Sequence, residues 1–332
     1  MIKKLLIKEF VRVSLLLSIF VFFVFSSSGQ QKRFDCGGIG GKIRFEEVQI
    51  PQQGGGTLNA KVFAPDAAKQ TAPCPGISML PGGGAQINSV EWAAERLAAN
   101  GYVVIITKPE RGGSTESYNT AAKSGIDFLL SEANPYLKNT NVKLIGAAGY
   151  SLGARSLAKT QEEDNRISAV VGWDNFAVSE TGDAGSPACR NEPGTLRTPR
   201  VPFLAQASET CQDGRDADVK KTAFNRWRES GKPAMQVVFK GATHFFWSAR
   251  AGNNSTWNLA GYYTQAWFDR WLKNDASATE RLLAREINGK SVEDILSSTF
   301  RSAVFLDGND CPDFRAGCDG GQSKNKQKGS KH

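Results

Sequence analysis

Ser151 stands in Gly149-Tyr150-Ser151-Leu152-Gly153, after the apolar run Lys143 to Ala148 and before Ala154 to Lys159, which begins like a helix. A hydroxyl held at a strand-to-helix corner can attack a carbonyl carbon. The sharp turn lifts it clear of the strand end, and the helix that follows aims its N-terminal N–H groups at the anion that forms. Such a corner leaves no room for side chains two positions before and two after the serine, where Gly149 and Gly153 fall. The plainer alternative is a glycine-rich turn whose serine only caps the helix.

A serine hydroxyl is a weak nucleophile without a base. The chain has two histidines, and His332 is its last residue, so His244 is the base the sequence offers. It follows Gln236 to Lys240, which reads as a strand, and the turn Gly241-Ala242-Thr243. An ordinary imidazole titrates near pH ~6.5, which suits proton transfer at neutrality. The imidazole in turn needs a carboxylate to fix its tautomer. Glu209, just past the apolar run Phe203 to Ala207, is the first choice. Asp213 and Asp174, the latter at the end of Ile167 to Trp173, stay open beside it. The developing anion needs two backbone N–H donors. Leu152 supplies one, and Gly83, in Pro81-Gly82-Gly83-Gly84, is expected to supply the other, with Gly84 next in line. Trp173, Phe245, Phe246 and Trp247 flank these positions and would form either an apolar substrate wall or core packing. No C-x-x-C or Cys/His cluster suggests a metal, and the glycine clusters at 37–41 and 54–56 lack the setting of a phosphate loop. Neither metal nor cofactor is expected.

The elements that must position these residues alternate. Lys42 to Ile50 and Thr57 to Phe63 read as an antiparallel opening pair of strands. Gly76 to Leu80, Tyr102 to Thr107, the run before Ser151, Ile167 to Trp173, Val201 to Ala207 and Met235 to Lys240 follow as strands. Helical patterns lie over Val90 to Asn100, within Tyr118 to Leu137, after Ser151, over Val219 to Ser230 and over Ser255 to Leu272. A further helix carrying Leu282, Leu283 and Ile287 is expected within 275–305, and Asn175 to Arg200 reads as a long loop. Strands alternating with helices imply a mostly parallel central sheet with helices on both faces. With the serine corner in mid-chain, the expected fold class is α/β, in the α/β-hydrolase arrangement.

The 332 residues, 40% hydrophobic and 22% charged, are enough for one large core, and residues 31–310 read as a single domain. Residues 1–30 read as a signal peptide, with Lys3, Lys4 and Lys8 first, an apolar run from Val13 to Phe25, then Ser26-Ser27-Ser28-Gly29. The run is shorter than the roughly 20 residues of a membrane span. This predicts a secreted protein, extracellular or periplasmic, with no stable membrane insertion once the leader is cleaved. A retained anchor is the alternative. Six cysteines behind such a leader suggest disulfides, with Cys311–Cys318, Cys36–Cys74 and Cys189–Cys211 the expected pairs. Residues 311–332 form a cysteine-containing segment and a basic, disordered tail. The formal charge is +8, but it sits mostly in the leader and the tail, so the body offers no nucleic-acid surface. A monomer is expected.

Pro81-Gly82-Gly83-Gly84-Ala85, the stretch Glu91 to Ala99 running into Asn100-Gly101-Tyr102-Val103-Val104, and Gly149 to Gly153 carry a family likeness. Over about residues 45 to 272 the chain resembles the dienelactone-hydrolase and cutinase-like polyester-hydrolase branch of the α/β-hydrolases. The resemblance implies an oxyanion N–H from Gly83 and a substrate contact from Trp173. That branch more often has an aromatic at the Gly83 position and usually Asp as the acid. The function expected is a secreted serine hydrolase that cleaves small or polymeric carboxylic esters through an acyl-enzyme. Its rivals are an amidase or peptidase on the same triad, and a catalytically silent binding protein of this fold.

Overall fold

Apolar and β-branched residues run almost uninterrupted through the central strands, and the structure buries those strands on both sides. The computed structural model describes residues 36, 41–66, 72–109, 113–174, 197–209, 222–248 and 254–318. The leader, the loop after Asp174 as far as residue 196, Asp213, Cys189, Cys211 and the basic tail lie outside the described residues.

The elements in order are β1 (Ile43–Pro51), β2 (Thr57–Pro65), β3 (Cys74–Leu80), α1 (Glu91–Ala99), β4 (Val103–Thr107), α2 (Thr115–Leu129), β5 (Thr140–Tyr150), α3 (Leu152–Glu163), β6 (Ile167–Trp173), β7 (Phe203–Ala207), α4 (Thr222–Glu229) and β8 (Ala234–Val238). A short 3-10 turn, His244–Trp247, leads to α5 (Asn254–Leu272) and α6 (Ser277–Leu282). Then come β9 (Glu286–Ile287), β10 (Lys290–Ser291), α7 (Val292–Ile295), β11 (Ala303–Leu306) and β12 (Asn309–Cys311).

Among the described residues the main sheet has ten strands in the order β1-β2-β4-β3-β5-β6-β7-β8-β11-β12. From β4 to β8 all neighbours are parallel. The pairs at both edges, β1 with β2 and β11 with β12, run antiparallel. Every residue of β3, β4, β7 and β8 is buried, as a sheet covered on both faces requires. α1 and α5 cover one face through Leu97, Tyr263 and Trp267. α2, α3 and α4 cover the other through Tyr118, Ile126, Leu157 and Phe224. This is an α/β fold with a mostly parallel sheet.

The strand order reverses at β3, which has β4 on one side and β5 on the other. Chain segments leaving β3 and β5 therefore part in opposite directions. That opens a crevice beyond their carboxyl ends, the usual ligand position in such sheets. The Pro81–Gly84 loop and Ser151 are the segments that leave there.

Three expectations are corrected. The helix expected within Tyr118 to Leu137 begins earlier, at Thr115, where the Ser114 side chain caps it by accepting the Ser117 N–H, and ends at Leu129. The helix expected within 275–305 is shorter than its apolar spacing suggests: α6 ends at Leu282 with Leu283 as its cap, and Ile287 lies in β9. Asn288-Gly289, with φ of 52° and 75°, makes a two-residue hairpin turn between β9 and β10. Asp307-Gly308, with φ of 49° and 83°, does the same between β11 and β12. β9 and β10 form a separate two-stranded sheet, and β11, paired with β8, carries the main sheet on to β12. Finally, Cys36 and Cys74 are buried thiols rather than a disulfide. Cys36 Sγ donates to Gly101 O at 2.6 Å, and Cys74 Sγ lies 3.4 Å from Cys36 O.

The Cys311–Cys318 disulfide is present and ties the last strand to the segment that follows it. Closing so short a loop stabilises by about 2 kcal/mol in the chain-entropy account. Replacing both cysteines by serine should lower the melting temperature by several degrees, and reductant should lower that of the wild type at least as far. An unchanged melting temperature in both experiments would contradict the structural role.

Candidate active site

β5 ends at Tyr150 and α3 begins at Leu152, leaving Ser151 alone at the corner with φ 53° and ψ −116°. Non-glycine residues avoid this region, and its strain of about 1–3 kcal/mol persists only where the surroundings enforce it. Here the Ser151 N–H donates to Trp173 O at 2.8 Å, and Ser151 O accepts the Arg155 N–H at 2.9 Å. The neighbouring glycines have no space to spare. A Cβ on Gly149 would lie 2.6 Å from the carbonyl carbon of Gly153, and one on Gly153 would lie 2.6 Å from Pro81 O. The sequence reading of these two positions is thus matched by the packing.

The Pro81–Gly84 loop rests on this corner. A Cβ at Gly82 would meet the Tyr150 ring at 2.8 Å, and one at Gly83 would touch the Leu152 side chain at 3.4 Å. From α2 the Tyr118 hydroxyl donates to Gly82 O at 2.8 Å, which fixes the loop from outside. Gly83 and Leu152, the two residues expected to provide oxyanion N–H groups, therefore lie side by side next to Ser151.

Ser151 Oγ lies 2.9 Å from His244 Nε2. His244 Nδ1 lies 2.5 Å from Asp174 Oδ2. The other oxygen, Asp174 Oδ1, accepts the Ser208 N–H at 2.8 Å, and the Asp174 N–H donates to Gln206 O at 2.7 Å. The Asp174 side chain is 1% exposed and that of His244 38% exposed, so the acid is sheltered while the imidazole edge is open. Asp174 too has a left-handed backbone, with φ 47°. The serine and the carboxylate that flank the imidazole are thus both in strained conformations.

Glu209, the first choice for the carboxylate, is not beside His244, and this corrects the expectation. Its Oε2 accepts the Gly241 N–H at 2.5 Å, and its Oε1 accepts the Ser297 hydroxyl at 2.5 Å. The reason is strand position. β6 is hydrogen-bonded directly to β5, with Trp173 opposite Tyr150, so the residue after Trp173 emerges next to the serine corner. The left-handed bend then carries its carboxylate across the end of β7, where the Ser208 N–H pins it. Glu209 begins one strand further out and points to the turn before the histidine.

The short His244–Trp247 turn that follows has three further ties that the sequence reading missed. The Tyr150 hydroxyl donates to His244 O at 2.8 Å. Burial and the nearby Asp174 charge push the Tyr150 phenol well up from its usual range, so it remains a neutral donor. The Trp247 indole N–H donates to Gln206 Oε1 at 2.9 Å, and the Trp92 indole N–H donates to Trp247 O at 2.9 Å. Tyr150, inside the serine motif, was the one signal at hand. A large aromatic there needs a partner for its hydroxyl, and the histidine backbone supplies it.

Trp173 does not line the cleft. Its ring is fully buried against Trp92, and its indole N–H donates to Thr264 Oγ1 at 3.1 Å. The substrate contact expected of Trp173 is therefore corrected to a core role. Its neighbour Asp174 is the residue of that strand end that faces His244. Phe245 differs. It is 46% exposed and stands edge-on to His244 at 5.6 Å between ring centres. Trp247 is buried and Phe246 packs partly against the core. Among the described residues, no group of three or more His, Cys, Asp or Glu side chains could hold a metal ion. Among them, no helix is long and apolar enough to cross a membrane.

No family model matches the chain. It is similar to a protein named Lipase 1 from Moraxella sp. (strain TA144), with 26% identity over 239 residues. The match spans 72% of this chain and 66% of the length of that protein.

The corner makes a paired prediction. Gly153→Ala forces its new methyl into the Pro81 carbonyl and should cost about 1–3 kcal/mol in urea unfolding. Gly83→Ala meets the Leu152 side chain at ordinary contact distance and should cost less than about 1 kcal/mol. Equal costs would contradict the packing described.

Proposed function

We propose that this protein is a serine esterase of the α/β-hydrolase class, akin to the dienelactone-hydrolase and cutinase-like branch. The observation that carries the reading is the unbroken Ser151–His244–Asp174 hydrogen-bond chain at a strained strand-to-helix corner. The similarity to a protein named as a lipase supports an ester as the bond broken. The leader-like residues 1–30 and the Cys311–Cys318 bond support action outside the cytoplasm, by secretion or in the periplasm.

His244 Nε2 takes the proton from Ser151 Oγ as the oxygen attacks the ester carbonyl carbon. Asp174 holds the Nδ1 proton and stabilises the imidazolium that results. The carbonyl oxygen becomes an anion, and the backbone N–H groups of Leu152 and Gly83 receive it. Collapse breaks the bond to the alcohol oxygen, which leaves with the proton from Nε2. Water then attacks the acyl-enzyme, gives its proton to His244, and Ser151 is restored as the acid departs. Phe245, exposed beside the imidazole, supplies an apolar contact for acyl or alcohol group. The substrate is a small or polymeric ester, and the reading requires no cofactor.

Hydrolysis of p-nitrophenyl esters of increasing chain length tests this. Ser151→Ala or His244→Ala should each cost on the order of 10³- to 10⁶-fold in rate, and the double variant little more, because the pair acts as a unit. Asp174→Asn should cost about 10⁴-fold. Retained activity in Ser151→Ala, or losses that multiply in the double variant, would refute the proposal.

A further inference from the structure

The segment after α7 is stitched onto the strand that delivers the histidine. The Lys240 N–H donates to Ile295 O at 2.8 Å, and the Ser297 N–H donates to Val238 O at 2.8 Å. Phe239 and Leu296 form an antiparallel bridge between these bonds, and the Val238 N–H donates to Ser302 Oγ at 2.9 Å. Beyond Lys240 the backbone pairing with residues 295–297 ends, and Glu209 takes over. Its N–H donates to Ala242 O at 2.9 Å, and its two carboxylate oxygens take the Gly241 N–H and the Ser297 hydroxyl. Ser297 is 2% exposed, and its oxygen also accepts the N–H groups of Thr299 and Phe300.

We propose that Glu209 is a positioning residue for the reaction: it clamps the Gly241–Thr243 turn to residues 295–300 and so sets where His244 stands over Ser151. The inference rests on the proposed Ser151–His244–Asp174 reading. The geometry explains why a carboxylate occupies the site. Two donors, one on each side, need two acceptor atoms. Both lone pairs of the Ser297 oxygen are committed to Thr299 and Phe300, so its hydroxyl can only donate to Glu209. A glutamine offers one acceptor where two are needed, and its NH₂ group would face either the Gly241 N–H or the filled Ser297 oxygen. The segment from α7 to β11, at the edge of the sheet, is in this way part of the catalytic scaffold.

Glu209→Gln, Ser297→Ala and their double variant test the clamp in the full chain, well below the melting temperature of each. The readouts are kcat and KM for p-nitrophenyl butyrate and the far-downfield proton resonance of His244 Nδ1–H. Each single variant should lower kcat about tenfold with KM within about twofold, since small displacements of a reacting group are costly. The double variant should be no worse than the poorer single one, because both remove the same bond. The Nδ1 proton signal should broaden in all three. Unchanged kcat and an unchanged resonance, with only the melting temperature lowered, would overturn the proposal and leave Glu209 a purely structural brace. A loss in Glu209→Gln as deep as that in Asp174→Asn would overturn it in the other direction, making Glu209 part of the proton chain. Should Glu209→Gln fail to fold, Ser297→Ala breaks the same bond from the other side and decides alone. Failure of the catalytic reading shows separately, as activity surviving Ser151→Ala.

Discussion

Between the last residue of β5 and the first of α3 the chain must reverse within one residue, and Ser151 accepts the backbone strain of doing so. Its φ of 53° has no intrinsic support in a serine. The support comes from all sides. β6 holds the Ser151 N–H through Trp173 O, α3 holds its carbonyl through Arg155, and Gly149 and Gly153 let backbone pass where any side chain would collide. The Pro81–Gly84 loop can lie against the corner only because Gly82 leaves room for the Tyr150 ring. The Ser151 hydroxyl thereby stands clear of the sheet at the point where strand order reverses, beside the N-terminus of α3.

The imidazole presents a different problem, since it comes from a turn rather than from a strand or helix. Turns are mobile unless tied, and proton transfer needs an oxygen–nitrogen distance like the 2.9 Å found here. The ties come from separate elements: Tyr150 from β5, Gln206 from β7, Trp92 from α1 and Glu209 just beyond β7. Gln206 also reaches α5, donating to Ala260 O and Thr264 Oγ1, and Thr264 in turn accepts the Trp173 indole. Trp247, Gln206, Thr264 and Trp173 thus form one connected polar network behind the site, and each satisfied member limits the freedom of the next.

Much of this was legible in the chain itself. The parallel strands could be read because strands buried on both faces must be apolar throughout. The serine corner could be read because steric crowding leaves a fixed glycine pattern, and His244 because there was almost no other histidine. The carboxylate could not. Glu209, Asp213 and Asp174 all follow strands, and the choice among them depends on which strand lies beside β5 and which way a left-handed bend turns. Both are properties of the sheet as a whole. Trp173 misled for a related reason. Alternation along β6 decides which side of the sheet each residue faces, and a resemblance to other sequences does not reveal that α5 places Thr264 to receive its indole. The strands beyond β8 were announced by Asn288-Gly289 and Asp307-Gly308, but the apolar spacing of Leu282, Leu283 and Ile287 suggested a helix more strongly.

The central claim is that Ser151 is the activated nucleophile of this site. Treatment with a fluorophosphonate, followed by mass mapping of the peptides, tests it most directly. The account predicts one adduct per chain, on Ser151, formed far more slowly when His244 is replaced by alanine. An adduct on any other residue, or none at all in the folded protein, would contradict it.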